Sequence, residues 1–193
     1  MRRMRYLLAL SLSLLLVFVC AGLAWAQQNR CTLTATQAPE LGGLRLSMTE
    51  EQVRARFKVI EVEPVDEFKV ERLRLAQSGG RPGADAMRDI SVDLIGGKVV
   101  AIRLVYNPAP VSKNQQELAE ELSRSLRLPS AWKPVGVGSM VTGMLMECAG
   151  FKLSANMIGG RIPVVYLSSL EAETTLMRRQ AERERRLRDF FKQ

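Results

Sequence analysis

Two stretches of the chain share one pattern: residues 91–104 read SVDLIGGKVVAIRL, and residues 154–167 read SANMIGGRIPVVYL. In both, a Gly-Gly pair lies between segments in which apolar residues alternate with other residues. This is typical of a β-hairpin with a two-residue turn. The stretches align without gaps at an offset of 63 residues, and five of the 14 positions are identical. The sequence therefore predicts two similar antiparallel hairpins.

Helix-start patterns precede both hairpins at that same offset. Thr49 followed by Gln52, and Ser112 followed by Gln115, each match a capping box, in which two side chains satisfy free backbone N–H groups. The first helix is predicted over 50–57, and the second is predicted to begin at Ser112. The buried stripe of the second helix consists of Leu118, Leu122 and Leu126.

Two unrelated patterns at one offset favour a duplicated unit, a helix followed by an antiparallel sheet. The two halves would span 44–106 and 107–168, followed by a C-terminal basic helix at 169–193. The alternative is that both hairpins converged on good turn chemistry, because glycine pairs recur in such turns. The expected fold class is α+β.

The remaining elements follow from local periodicity and turn residues. Loops are predicted at 78–85 and 136–143, where glycine is frequent. Pro163 lacks a backbone donor, so its strand is expected at a sheet edge or to be irregular near its start. Additional strands are predicted at 59–62, 70–75, 144–148, 151–158 and 162–167.

Residues 1–26 have the features of a cleavable secretory signal peptide, with cleavage near Ala26. An apolar run of about 13 residues is shorter than the roughly 20 that span a bilayer. An uncleaved anchor is the alternative, and acylation at Cys20 is disfavoured because the bulky Val19 precedes it. The exported chain is expected in the periplasm or outside the cell, beginning with an extended arm at 27–43.

Cys31 and Cys148 remain after removal of the leader, and an even pair in an exported chain predicts a disulfide. The alternative is two unpaired thiols. The chain has no histidine, which excludes histidine-based acid–base catalysis, Ser-His-Asp triads and histidine-ligated zinc. No metal and no cofactor is expected.

One possible catalytic motif is Ser130-Ala-Trp-Lys133, which matches the Ser-x-x-Lys spacing of penicillin-binding proteins, and Ser154-Ala-Asn156 matches their Ser-x-Asn. Prolines flank the first motif on both sides and disfavour the regular helix that would bring its lysine to the serine. A non-catalytic protein is therefore expected. The alternative is a small exported hydrolase or transferase that uses carboxylate or serine chemistry.

The basic charge is concentrated at the C-terminus. The formal charge is +8, of which +5 remains without the leader, and residues 177–193 carry +4 of that. The last helix is predicted from about Leu170 to Phe190, capped by Ser168 or Ser169. An anionic lipid or acidic surface could be contacted by Arg178, Arg179, Arg183, Arg185, Arg186 and Arg188. The alternative is the solvated end of a packed helix, and nucleic acid is disfavoured because the protein leaves the cytoplasm.

Residues 43–53, GLRLSMTEEQV, resemble the helix-entry motif Leu-x-x-Gly-Met-Thr-x-x-x-Val of the SmpA/OmlA outer-membrane assembly lipoproteins. Tandem helix-plus-sheet units also look like β-lactamase inhibitor proteins. Ser47 stands where the motif has glycine, and the lipid-bearing cysteine has no counterpart. The resemblance implies a non-catalytic envelope or secreted binder, and it transfers no site residue.

The expected function is therefore a module that binds a protein partner or the envelope surface. Such a module is expected to expose an apolar or aromatic patch on one face of its sheet. The aromatic candidates are Tyr106, Trp132, Phe151 and Tyr166.

Overall fold

The chain forms an eight-stranded antiparallel sheet with three α-helices, in a computed structural model that describes residues 31–76, 87–108, 114–137 and 140–190. The fold class is α+β, as predicted, and a helix ends the described chain. In chain order the elements are α1 (Glu50–Arg56), β1 (Val59–Glu63), β2 (Glu71–Leu75), β3 (Met87–Ile95), β4 (Lys98–Tyr106), α2 (Gln115–Leu126), β5 (Trp132–Val137), β6 (Met140–Glu147), β7 (Phe151–Ile158), β8 (Ile162–Ser169) and α3 (Leu170–Phe190).

The strand order is β1-β2-β3-β4-β8-β7-β6-β5, so two four-stranded meanders meet along β4 and β8. At this seam Ile102 pairs with Leu167, and Arg103 pairs with Tyr166. The arrangement leaves β1 and β5 at the two edges of the sheet.

Both predicted hairpins are present, and their turns have the same backbone geometry. Gly96 and Gly97 have φ of 60° and 71°, and Gly159 and Gly160 have φ of 58° and 69°. Two consecutive positive φ values characterise the type I′ turn, whose twist matches that of the flanking strands. Glycine reaches this left-handed region without the steric cost that a Cβ atom brings.

One sheet face carries the apolar core. Leu73, Val92 and Leu104 are fully buried there, as are the corresponding side chains of the second meander, which include Leu153 and Leu167. The helices contribute to the same apolar cluster through Val53, Leu118, Ala119 and Leu122. The alternating apolar residues of the strands therefore pack against the apolar stripes of α1 and α2.

The start of α1 confirms the predicted capping box. The Thr49 hydroxyl accepts a hydrogen bond from the Gln52 N–H at 3.3 Å, and the Thr49 N–H donates to Gln52 Oε1 at 3.0 Å. The helix ends at Arg56, with Phe57 as its C-cap. Ser47, two residues before the cap, has φ of 66°, in the region where glycine is favoured.

The predicted cap of the second helix is wrong. Asn114 is the N-cap of α2, and its side-chain oxygen accepts from the N–H groups of Gln116 and Glu117, both at 3.0 Å. Gln115 is the first helical residue, and Ser112 lies outside the described residues. An Asx cap next to the helix replaces the expected Ser-x-x-Gln box, so the helix starts do not share the offset of the hairpins.

Two further expectations about the sheet are corrected. Residues 136–143, predicted as a loop, contain the end of β5 and the start of β6, so that a strand pairing was missed. The strand of Pro163 is not at an edge, because it lies between β4 and β7. The other alternative, an irregular start, agrees with the pairing: β8 pairs with β7 from Ile162 but with β4 only from Val164, so proline is accommodated there.

The segment before α1 is packed against the domain. It contains a 3-10 helix at Ala35–Gln37, and Leu41 and Leu44 are buried in the core. The part of the predicted extended arm within the described residues is therefore integrated into the fold. Gly150 lies against this segment, and a Cβ atom there would collide with the backbone of Thr34 and Ala35.

The C-terminal helix α3 begins where predicted. Ser169 Oγ accepts from the Ala172 N–H at 3.4 Å, and Ala172 is the buried residue of this helix. All side chains from 181 to 190 are exposed. None of the described helices has the length and hydropathy needed to cross a membrane.

Candidate functional site

Polar side chains cover the sheet face opposite the apolar core, which we call the polar face. Strand register places its outward residues in rows that cross both meanders. The central row consists of Glu61, Arg74, Ser91, Arg103, Tyr166, Ser154, Leu145 and Lys133. The neighbouring row consists of Glu63, Arg72, Asp93, Ala101, Ser168, Lys152 and Glu147.

Ion pairs neutralise the first meander. The Arg72 guanidinium donates two hydrogen bonds to Asp93, from Nε to Oδ1 at 2.6 Å and from Nη2 to Oδ2 at 3.2 Å. Arg74 bridges Glu61 at 2.6 Å and Asp89 at 3.1 Å. The hydrogen bond to Asp93 raises the pKa of Arg72, and the hydrogen bonds to Glu61 and Asp89 raise that of Arg74. Both arginines are committed to carboxylates within the sheet.

Helix α3 neutralises the basic residue of β7. Glu173 approaches Lys152 at 2.8 Å and accepts a hydrogen bond of 2.6 Å from the Ser168 hydroxyl. The hydrogen bond to Glu173 raises the pKa of Lys152. The first turns of α3 are thereby bound to the neighbouring row of the polar face, which contains Lys152 and Ser168.

An open depression of 320 Å³ lies between these ion pairs, over the seam of the two meanders. Its lining includes four pairs of residues related by the offset of 63: Ser91 and Ser154, Asp93 and Asn156, Ala101 and Val164, and Arg103 and Tyr166. Arg103 and Tyr166 face each other across the seam. The depression is therefore centred on the line where equivalent positions of the two meanders meet.

Arg103 is exposed in this depression and has no ion pair with any residue in the described part of the chain. The rest of the lining consists of hydroxyl and amide groups, the Arg72–Asp93 ion pair and three apolar residues, which are Ala101, Ile158 and Val164. Burial, and less strongly the charge of Asp93, raises the pKa of the Tyr166 phenol, which stays protonated at neutral pH and can donate a hydrogen bond. Asn156 Nδ2 donates to Ser154 Oγ at 3.2 Å, which leaves the Ser154 proton available.

Gly143 on β6 makes room for the Asn156 side chain. A Cβ atom at Gly143 would collide with Asn156 Oδ1, so the lack of a side chain on β6 permits the observed rotamer. The depression thus offers one unpaired guanidinium beside neutral hydroxyl donors and the Arg72–Asp93 ion pair, which is an arrangement suited to an anionic group.

The predicted cysteine pair forms a disulfide, with Cα atoms 4.4 Å apart and 117 positions between the two residues. Cys148 follows β6, so the bond ties the segment before α1 to the second meander. Both cysteines are buried. Among the described residues, no three His, Cys, Asp or Glu side chains form a cluster that could hold a metal ion.

The six predicted surface arginines fall into two groups, of which one contacts the turn between β1 and β2. Arg179 donates to the Phe68 carbonyl oxygen, and Arg183 pairs with Glu67 at 2.8 Å, its guanidinium 5.9 Å from the Phe68 ring centre. These contacts clamp α3 onto the turn between β1 and β2. The other four arginines are exposed: Arg178, Arg185, Arg186 and Arg188.

The four candidate aromatics also separate. Phe151 is fully buried, Tyr106 packs against the core, and Trp132 donates its indole N–H to Ser123 at 2.7 Å. Tyr166 lies on the polar face. The polar face near Tyr166 therefore carries charges and hydroxyl groups where an aromatic patch was expected.

The two motifs that match penicillin-binding proteins do not come together. Lys133 pairs with Leu145, which pairs with Ser154, so two inter-strand spacings separate Lys133 from that serine. At about 4.8 Å per strand this is roughly 10 Å, too far for direct proton transfer. Within the Ser-x-x-Lys motif, Ser130 lies just before β5 and outside the depression, and Lys133 lies in that strand. The segment is therefore not the helix that would bring the lysine to the serine.

The sequence singled out Tyr166 but missed Arg103. The usable pattern was present in the hairpin alignment, because Arg103 and Tyr166 occupy equivalent outward positions. Their adjacency depends on the pairing of β4 with β8, which no local pattern specifies.

No known protein-family profile matches the sequence, and a search of curated proteins found no relative. Among solved structures, the chain is similar to a cysteine-rich secretory protein (SAV1118) from Staphylococcus aureus subsp. aureus Mu50, with a TM-score of 0.44 and 12% identity. The similarity covers 75% of this chain and 49% of that protein, so the chain spans about half the length of its match.

Proposed function

We propose that this protein is an exported, non-catalytic binding module that contacts a protein partner through the polar face of its sheet. The observation that carries the proposal is the asymmetry of the sheet. One face is sealed by an apolar core, and the other has a depression in which Arg103 lacks a counter-charge among the described residues. An unneutralised arginine in a polar depression is suited to recognition of a partner.

Export is proposed from two independent features. Residues 1–26 have the charge, apolar run and small residues of a cleavable leader, with cleavage near Ala26. The Cys31–Cys148 disulfide is compatible with an oxidising compartment.

We also propose that the two meanders arose by duplication of a helix-plus-sheet unit. The hairpin alignment and the symmetric strand order support this, since each helix precedes four strands and β4 meets β8 at the centre. The N-caps of α1 and α2 differ, so they do not support duplication.

The enzymatic alternative has little geometric support in the depression. Its carboxylate, Asp93, is held by two hydrogen bonds from Arg72 and is poorly placed to accept a substrate proton. We therefore favour binding over hydrolysis or group transfer.

Site-specific photo-crosslinking in the envelope fraction tests the binding face. A benzoylphenylalanine at Val105, on the polar face beside the seam, is expected to capture the partner. The same group at Glu51, exposed on α1, is the matched control and is expected to capture little. Capture from Glu51 without capture from Val105 would place the binding surface elsewhere and refute the proposal.

We further propose that the exposed end of α3 contacts an anionic surface. Arg185, Arg186 and Arg188 lie beyond the clamp at Glu67 and Phe68, together with Leu187, which is 46% exposed. Each basic residue near an anionic membrane contributes about 1 kcal/mol. Co-sedimentation with anionic vesicles should therefore decrease with added salt and upon replacement of the three arginines by glutamine. Equal sedimentation of both proteins would contradict this contact.

A further inference from the structure

Arg103 differs from Arg72, Arg74 and Lys152, the other basic residues beside the depression, in its lack of a partner among the described residues. Arg72 and Arg74 each contact two carboxylates of neighbouring strands, and Lys152 contacts Glu173 of α3. Arg103 lies between these pairs on the central row and meets no carboxylate within the described ranges. An external anion is therefore the natural counter-charge for this guanidinium.

The neighbours of Arg103 are able to donate to the same anion. Ser91 is its partner on β3, and Tyr166 is its partner on β8. Ser154 follows Tyr166 in the row, and its oxygen already accepts from Asn156. A group held by Arg103 would thus be surrounded by hydroxyl donors with few competing acceptors.

The charge balance favours a carboxylate over a phosphate group. A single unpaired guanidinium presents a planar fork that matches a carboxylate with two parallel hydrogen bonds. Arg72 and Asp93 line the same depression and neutralise each other, so its net charge is that of the Arg103 guanidinium, which matches a singly charged ligand. The depression is also open to solvent on the sheet face, so a side chain that projects from a partner can reach Arg103.

We propose that the depression binds the carboxylate of a glutamate or aspartate side chain from a protein partner, with Arg103 as its anchor. This assignment rests on the proposed function, because it names the chemistry of the partner at the polar face. Tyr166, Ser91 and Ser154 supply additional hydrogen bonds, and Gly143 maintains the position of Asn156 behind them.

NMR titration of the chain that starts at residue 27 tests this assignment. The probe is a blocked oligoglutamate peptide, and the matched oligoglutamine peptide and inorganic phosphate are its controls. We expect the glutamate peptide to shift the Arg103 Nε–Hε resonance at millimolar concentrations, and Arg103→Gln to weaken its binding about tenfold. Arg74→Gln, which removes an already paired arginine of the same row, should change binding less than about twofold.

Three results would overturn the assignment: no shift at Arg103, equal binding to Arg103→Gln, or tighter binding of phosphate than of the glutamate peptide. Thermal unfolding verifies that Arg103→Gln is folded, which is expected because the side chain is exposed. If benzoylphenylalanine at Val105 captures the partner equally well in Arg103→Gln, the polar face is still the binding face. The proposal that Arg103 binds a carboxylate of the partner is then wrong. Capture from Glu51 alone would reject the binding face itself.

Discussion

The two meanders of the sheet share a core and differ on the polar face. On the core side, Leu104 and Leu167 occupy equivalent positions and both are fully buried. On the polar side, Asp93 corresponds to Asn156, and Arg103 corresponds to Tyr166. The polar face of the first meander carries a network of ion pairs. In contrast, the second meander contributes neutral hydroxyl and amide groups to the depression.

This difference shows where the structure constrains the sequence. Buried positions must fill a fixed volume without polar atoms, so equivalent core residues stay apolar. Outward positions tolerate different charges, and at the seam the two equivalent outward residues, Arg103 and Tyr166, lie opposite each other. The difference between two similar hairpins thus creates the proposed binding site.

The largest expected effect on stability comes from removing the disulfide that joins the second meander to the segment before α1. Replacing both Cys31 and Cys148 by alanine should lower the free energy of unfolding by about 4–5 kcal/mol, because a bond that spans 117 positions strongly restricts the unfolded chain. Urea unfolding measures the loss, and the reduced native protein should show a similar one. Unchanged urea midpoints would show that the bond between this segment and the second meander does not stabilise the fold.

Matched truncations compare the two halves of the core directly. Leu104→Ala and Leu167→Ala should each cost about 2–5 kcal/mol, because each leaves a cavity in a fully buried cluster. Similar losses in urea unfolding are expected from equivalent environments. A near-neutral result for one variant alone would show that the halves pack unequally.

The clamp of α3 links the second meander to the first. Replacing Arg179 and Arg183 by alanine should cost about 1 kcal/mol, because the ion pair with Glu67 is half exposed and screened by solvent. Amide hydrogen exchange should accelerate in the distal turns of the helix. Arg185→Ala with Arg188→Ala serves as the control, since both side chains are exposed, and no acceleration is expected there.

The smallest effect concerns Tyr166, the counterpart of Arg103. Burial raises the pKa of Tyr166 and of Tyr106, so folding disfavours both tyrosinates. The folded state therefore loses stability as pH rises above about 10, where the unfolded phenols ionise. In a chain that starts at residue 27, and therefore lacks Tyr6, Tyr166→Phe should remove part of this alkaline loss of stability.

Absorbance titration of tyrosinate in Tyr166→Phe and Tyr106→Phe would assign the two phenols separately. Each remaining phenol should ionise above the value of a free tyrosine. An ordinary midpoint for Tyr166 would show that solvent enters the seam more freely than the depression suggests.

Local chemistry in the sequence determined several parts of this protein. Glycine pairs at 96–97 and 159–160 specify tight hairpin turns because two consecutive residues must adopt positive φ. Thr49 and Gln52 specify the start of α1 through contacts between residues three positions apart. The cysteine pair was also predictable, because an even pair of cysteines follows the predicted leader.

Other features depended on contacts between distant parts of the chain. Periodicity predicts that Arg103 and Tyr166 point outward, but only the pairing of β4 with β8 brings them together. The same pairing places the strand of Pro163 at the centre of the sheet. Likewise, Arg183 meets Glu67 because α3 reaches the β1–β2 turn. Strand order is set by the burial of whole faces, which a local pattern does not encode, so tertiary structure alone decided the site.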